Sequence, residues 1–361
     1  MPQGEAFWNP YRMVPIRQNI TRSSPVTDEK FTGRSGIIYC TLENLTLLFV
    51  GKNRKDNTRF LTRAGRAVIP GSSLKGALRS LAEIAGGGCW VTNPREGCNS
   101  VQQLCITCRM FGMLERGPRA RVHKGKISIG DALIREANPA IQQVEILLTT
   151  PSTKHTPFYL TPTTGNFDGL CRKLYFHQPH RRHSVPEIPQ SIRQSMHPHI
   201  QRLYALAPGQ HFDFTINFSN LTEEELTLLI YVLALEDNVV VNIGDGPNRL
   251  TLRGPLRHKI GYGKPLGMGS CHITINRLVY HSEPHTRFAS LQATGETDYE
   301  GEALQTVISR LTKNIVQDNS LTMQHLRKML VWDENDPRVF HYPDHHWFQT
   351  EANQRKQLKN I

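Results

Sequence analysis

The chain has 361 residues, and its 43 Lys and Arg against 31 Asp and Glu give a formal charge of +12. A surplus of that size suits a polyanion, because cations that neutralise phosphates release condensed counterions, although it also serves solubility. No apolar run approaches the ~20 residues that a bilayer span needs, no export signal is seen, and an odd count of seven cysteines argues against a disulfide framework. A cytoplasmic protein with no membrane partner is expected, built as one large domain with insertions or two modest ones.

Residues 1–34 are polar and proline-rich. Gly36–Val50 reads as a β-strand or a bent strand pair, rich in β-formers. A basic loop from Gly51 to Ala67 leads into Ile69-Pro70-Gly71-Ser72-Ser73-Leu74-Lys75-Gly76-Ala77-Leu78-Arg79. There Pro70 and Gly71 turn the backbone and Ser72 or Ser73 can cap a helix. Leu74, Leu78, Leu81 and Ile84 recur at helical spacing. The first turn would offer backbone N–H groups, two hydroxyls and the Lys75 cation, the parts of a phosphate-binding helix start, though without Walker spacing. An ordinary capped helix accounts for the run equally well.

Residues 86–124 are rich in glycine and cysteine. Cys89, Cys98, Cys105 and Cys108 fall within twenty residues, with Cys105-x-x-Cys108 at zinc-knuckle spacing, so a structural zinc would stabilise a loop that lacks a core. Four reduced thiols without a metal are the alternative that remains open at this point, and His123 is a substitute ligand should a metal be held. Lys126–Ile134 and Val144–Thr150 read as strands. From 151 to about 208, prolines, histidines and arginines dominate, which predicts a thumb-like insertion. Arg172, Lys173, Tyr175, His177, His180, Arg181, Arg182 and His183 interleave cations with rings, a mixture that suits RNA or a solvated basic face. His211–Phe218 alternates cleanly, and Thr222–Glu225 is a capping box opening a helix through Leu235.

A second glycine-rich run follows, Ile260-Gly261-Tyr262-Gly263-Lys264-Pro265-Leu266-Gly267-Met268-Gly269-Ser270, with Lys259 just before it. Its glycines allow positive φ and close approach to a ligand. Cys271–Tyr280 is a final strand, and the tail predicts helices near Gly301–Val316 and Leu321–Val331 with an aromatic, histidine-rich packed end at Phe340–Trp347. The order strand, helix, strands, insertion, strand, helix, strand predicts an α+β fold: a ferredoxin-like (RRM-like) β-α-β-β-α-β core with long loop insertions. The predicted division is a domain over 1–280 and a helical C-terminal extension over 281–361.

The two glycine-containing runs together resemble the RAMP superfamily, RNA-binding proteins of CRISPR systems in which such a helix start and late glycine-rich loop recur. Phe7–Pro15, Cys105–Gly112, Arg172–His177 and the Gly-Lys-Pro-Leu-Gly wording resemble a group associated with type III loci. The matches span residues 7 to 280 in order. The resemblance implies the same ferredoxin-like fold, a cysteine-rich zinc site in some relatives, and a backbone subunit of a type III effector complex. Such a subunit would bind guide RNA, and through it complementary target RNA, beside other RAMP and large-subunit proteins.

The residues expected to meet RNA are Lys52, Arg54, Lys55, Ser72, Ser73, Lys75, Arg79, Arg172, Lys173, His177, Arg181, Arg182, Lys259, Gly261, Tyr262, Gly263, Lys264, Gly267, Gly269 and Ser270. In catalytic backbone subunits an aspartate of the loop before the helix supports metal-dependent target cleavage. Asp56 is the counterpart here, and would hold a divalent metal such as magnesium. Its immediate context departs from the usual one, and a solvated aspartate between cations is the plainer reading. The alternatives are a metal-independent RAMP endoribonuclease that processes the guide precursor, with the histidines of 177–183 as suspects, and an inactive capping or scaffold subunit.

Overall fold

Strand β1 (Arg34–Asn44) alternates strictly, burying Ile38, Cys40 and Leu42 while Tyr39, Thr41 and Glu43 stay partly exposed. That period of two gives the sheet one apolar and one polar face. The computed structural model of the protein describes residues 8–16, 20–27, 30–51, 58–90, 97–148, 155–159, 171–244, 249–282, 296–343 and 345–358. Lys52, Arg54, Lys55 and Asp56 lie outside the described residues.

The short pieces Thr62–Arg63, His258–Lys259 and Thr297–Glu300 pair at the edges of this sheet, and five further strands carry its middle with β1: β2 (Arg66–Ile69), β3 (Ile127–Ile129), β4 (Ala132–Ile134), β5 (His211–Leu221) and β6 (Ser270–Tyr280). Their order is β6-β1-β5-β4-β2, with β3 beside β4 on β5 and antiparallel pairing throughout. Register places apolar side chains across from one another: Phe212 faces Leu42, Phe214 faces Cys40 and Ile216 faces Ile38, while Ile273 faces Leu42 from the other side. A shift between Ile275 and Arg277 then keeps Leu278 on the buried face opposite Ile38; one residue of slip would otherwise turn it outward.

Two helices cover that apolar face, α1 (Gly71–Ala85) and α2 (Glu223–Ala234). Leu74, Leu78 and Leu81 of α1 share one core with Ile38, Phe212 and Ile273. The α2 helix opens on the expected capping box, Glu225 N–H donating to Thr222 Oγ1 at 3.3 Å and Thr222 N–H to Glu225 Oε2 at 3.1 Å. In the tail, α3 (Gly301–Gln317) and α4 (Leu321–Leu330) bury Leu304, Val307, Leu311, Met323, Leu326 and Met329 in that same core. The opposite face of the sheet is polar, tied across strands by Arg135 Nη2 to Asp213 Oδ1 at 2.6 Å and Asn276 Nδ2 to Thr41 Oγ1 at 2.7 Å.

Three local expectations change. The first strand ends at Asn44 rather than Val50. Residues 45–50 leave the sheet because their N–H groups are taken by other segments, Leu45 by Ser270 O and Leu47 by Arg182 O. Lys126–Ile134 is two short strands broken at Gly130-Asp131, not one. No serine caps α1: the N-cap is Pro70, and Gly71 N–H donates to Asp131 Oδ1 at 2.9 Å. A carboxylate at a helix N-terminus also meets the positive end of the dipole, which a hydroxyl does not match. Within 151–208, Cys171–Tyr175 pairs with Tyr11–Pro15 and Ile200–Leu206 pairs with Ile141–Leu147.

Candidate nucleic-acid interface and metal centre

Where β1 ends and β6 begins, the Ile260–Ser270 loop closes on itself through Ile260 N–H to Gly269 O at 2.8 Å. Four glycines make that closure possible, with φ of 84°, 72°, 93° and 81° at 261, 263, 267 and 269. A Cβ at Gly269 would stand 1.9 Å from Ile260 O, and one at Gly261 would stand 2.5 Å from Phe49 O. The loop is seated on residues 45–50 by Tyr262 N–H to Phe49 O at 2.9 Å and Gly269 N–H to Leu47 O at 2.8 Å.

The 177–182 segment supports the loop from behind. Gln178 Nε2 donates to Pro265 O at 2.9 Å, and the Cβ and Cδ of Arg181 pack toward Gly267. His177 is buried, with Nδ1 2.8 Å from Ser270 Oγ and Nε2 3.0 Å from Arg257 O. A carbonyl can only accept, so Nε2 carries the proton and Nδ1 accepts from the serine. Burial, then the nearby Lys259 cation, holds the imidazole pKa well below its ordinary value. His177 is therefore a neutral strut. Two groups of residues expected to meet RNA, 177–182 and 259–270, thus form one body.

That body carries cations without anions. Lys259 Nζ reaches Gly267 O at 3.3 Å and Ser270 Oγ at 3.2 Å, and burial pushes its pKa down to about 7. Burial lowers Lys264 as well, and Arg181 Nε is a buried donor without an acceptor. Among the described residues none of these three forms a salt bridge, and Tyr262 presents an exposed ring beside them. Arg182 differs: it pairs with Glu334 and lies 5.6 Å over the Trp332 ring.

The α1 residues sit elsewhere, with β5 and β1 lying between the helix start and β6. Ser72 and Ser73 are exposed on its first turn. Lys75 Nζ donates to Ile127 O at 2.8 Å. Arg79 donates Nε to Glu83 Oε1 at 3.1 Å, Nη1 to Gly112 O at 3.2 Å and Nη2 to Cys108 Sγ at 3.5 Å. Buried Glu83 also pairs with Arg172, whose guanidinium is 5.9 Å from the Trp90 ring. The Arg79–Glu83 pair was visible as an i,i+4 spacing; Arg172, 89 residues on, was not.

The four cysteine sulfurs lie within 4.8 Å of one another, three of the residues buried and Cys98 partly so. A tetrahedral zinc with Zn–S of about 2.3 Å needs sulfurs about 3.8 Å apart, and Cys89 and Cys108 are at 3.5 Å. Backbone N–H groups already aim at the sulfurs: Cys89 at Cys105 Sγ (3.3 Å), Cys98 at Cys89 Sγ (3.4 Å) and Cys105 at Cys98 Sγ (3.2 Å). Such donors suit thiolates, and the donor set fits a metal such as zinc. His123 is not a ligand, its Nε2 lying 2.9 Å from Arg109 O. Arg109 in turn anchors the knuckle to α2 through Glu225 at 2.9 Å, a buried carboxylate that also holds Lys126 at 2.8 Å.

The family model of the RAMP superfamily matches residues 41–272, from β1 into β6. The chain belongs to the RAMP superfamily. No curated protein matches it. The matched span of this RAMP contains α1, all four cysteines, and the glycine-rich loop with its 177–182 support. No described helix is long and apolar enough to cross a membrane.

One further cluster lies on the 11–15 and 171–175 strand pair. Lys173 Nζ is 3.7 Å from the Tyr11 ring centroid, 5.5 Å from Tyr175 and 5.7 Å from Tyr159. Tyr342 closes the group, 6.2 Å from Tyr11. Burial lowers Lys173 to about 8.

Proposed function

We propose that this RAMP is a guide-RNA-binding backbone subunit of a type III CRISPR ribonucleoprotein. One observation carries the reading: around a loop that its glycines let close on itself, the Ile260–Ser270 and 177–182 segments present Lys259, Lys264 and Arg181, which have no carboxylate partner among the described residues. Unpaired, partly desolvated cations gain most from a phosphate, because no internal ion pair has to be broken first. Tyr262 adds a ring on which a base can stack. Such a site reads the backbone, and guide–target pairing supplies sequence specificity.

The fold is consistent with a ferredoxin-like core. Taking β1, α1, the β3–β4 segment, β5, α2 and β6 as its six elements, the observed order β6-β1-β5-β4 is that of a split β-α-β sheet. We assign residues 1–280 to the RAMP domain and α3 and α4 to an extension laid on it. Complementary target RNA and other RAMP and large-subunit proteins are the proposed partners, and zinc the proposed occupant of the four-cysteine centre. Asp56 is the proposed carboxylate for metal-dependent target cleavage.

The test is to purify the chain with its genomic neighbours and sequence the bound RNA. Small RNAs sharing a constant repeat-derived tag are expected, and their absence overturns the proposal.

The Lys173 cluster favours a second reading, metal-independent processing of the guide precursor. An amine with pKa about 8 among phenols can move protons near neutrality, whereas His177 has both nitrogens engaged. Efficient precursor cleavage in EDTA that is lost in Lys173→Met would establish it and displace the first reading. No cleavage in EDTA removes it.

A further inference from the structure

Arg79 belongs to the motif that first suggests a phosphate site, yet every contact it makes points inward. Its guanidinium touches Glu83, Gly112 O and Cys108 Sγ, joining α1 to both the end of the Ile106–Phe111 helix and one sulfur of the cysteine cluster. Arg22, from the N-terminal segment, hydrogen-bonds Cys98 of the same cluster.

Four thiolates around a divalent ion leave a double negative charge, which is costly to hold where three of four ligands are buried. Backbone N–H groups offset part of it. Among the described residues, Arg79 and Arg22 are cations in contact with the sulfurs.

We propose that Arg79 and Arg22 are positioning residues of the metal centre. They compensate the charge of the thiolates and fix Cys108 and Cys98 in place, and Arg79 is not an RNA contact. Through Glu83 and Arg172 the same guanidinium ties the centre to the Cys171–Tyr175 strand, which runs directly into the His177–Arg182 support of the glycine-rich loop. This inference rests on the four-cysteine centre holding a metal.

The experiment uses the full chain as wild type, Arg79→Ala, Arg79→Lys and Arg22→Ala. Zinc content, zinc transfer to a colorimetric chelator, the thiolate-to-cobalt charge-transfer bands of the Co²⁺-substituted protein, and RNA affinity at saturating zinc are measured on each. One zinc per wild-type chain is expected. Arg79→Ala should weaken zinc binding about tenfold to a hundredfold, as removal of an outer-shell partner typically does, and shift the cobalt bands. Arg79→Lys should recover part of the loss, since it keeps the charge but not the fork. Arg22→Ala, exposed and away from the core, should lose less, and RNA affinity should hold in all.

Zinc affinity within about twofold of wild type in both Arg79→Ala and Arg22→Ala overturns the inference while leaving the metal reading intact, as does an Arg79→Ala that keeps its zinc and loses RNA. A wild type that binds no metal removes the metal reading itself, and the inference with it. Should Arg79→Ala fail to fold, Arg79→Lys and Arg22→Ala decide by the same criteria.

Discussion

In the Ile260–Ser270 loop, Lys264 and the adjoining Arg181 are cations that no carboxylate answers among the described residues, and the loop that carries Lys264 closes because its glycines take positive φ. On α1, Lys75 is spent on Ile127 O and Arg79 on Glu83, Gly112 O and Cys108 Sγ, while Asp131 occupies the helix N-terminus. Both stretches combine glycine, serine and lysine, and both resemble family motifs. A basic residue becomes a candidate for a phosphate when the fold leaves it without a partner. The same residue becomes scaffold when a carbonyl, carboxylate or sulfur reaches it first.

The sharpest way to break this contrast is a matched pair of alanines. Gly269→Ala places a Cβ 1.9 Å from Ile260 O at φ +81°, so a loss of at least about 1–3 kcal/mol of stability is expected, with a collapse of RNA affinity. Gly76→Ala on α1 has nothing within 4 Å of the new methyl, and a helix-interior glycine replaced by alanine should stabilise by about 0.5–1 kcal/mol with RNA binding unchanged. Thermal melts and binding isotherms decide, and equal effects at the two positions would erase the distinction.

A smaller effect separates the two lysines. Lys264→Ala should lower the slope of log affinity against log salt by about one, the signature of a lost phosphate contact. Lys75→Ala should leave that slope intact and cost about 0.5–1.5 kcal/mol of stability through its hydrogen bond. A reversed pattern in a salt titration would move the interface to α1.

The smallest effect is one of pH. Lys259 in the folded chain has its pKa lowered from 10.5 to about 7, so between those values the unfolded chain holds a proton that the folded chain lacks, and stability rises with pH across the window. The loop meanwhile loses a positive charge as pH rises through about 7, so RNA affinity falls. In Lys259→Met both trends should flatten. An unchanged affinity profile from pH 6 to 9 would show that this ammonium does not serve the loop's charge.

Much of the fold was legible in the chain. The alternation of Phe212, Phe214, Ile216 and Phe218, the capping box at Thr222 and the tail helices near 301–316 and 321–331 all stand, because period and capping are local properties. The cysteine cluster was legible too, since ligand spacing is written along the chain. Legibility failed where a distant residue supplied the decisive partner: Asp131 at Gly71, Arg172 at Glu83, Ser270 at His177.

By itself, the sequence determined that this chain alternates and caps into an α+β RAMP of strong positive charge, with glycines where only positive φ can close a loop and thiols where one ion can be shared. Only the tertiary structure decided which of its many cations stay available. Partnering is a matter of distance between side chains far apart in sequence, and the antiparallel sheet sets those distances. It brings Gln178 and Arg181 beneath the loop and turns Arg79 toward a cysteine sulfur instead of toward solvent.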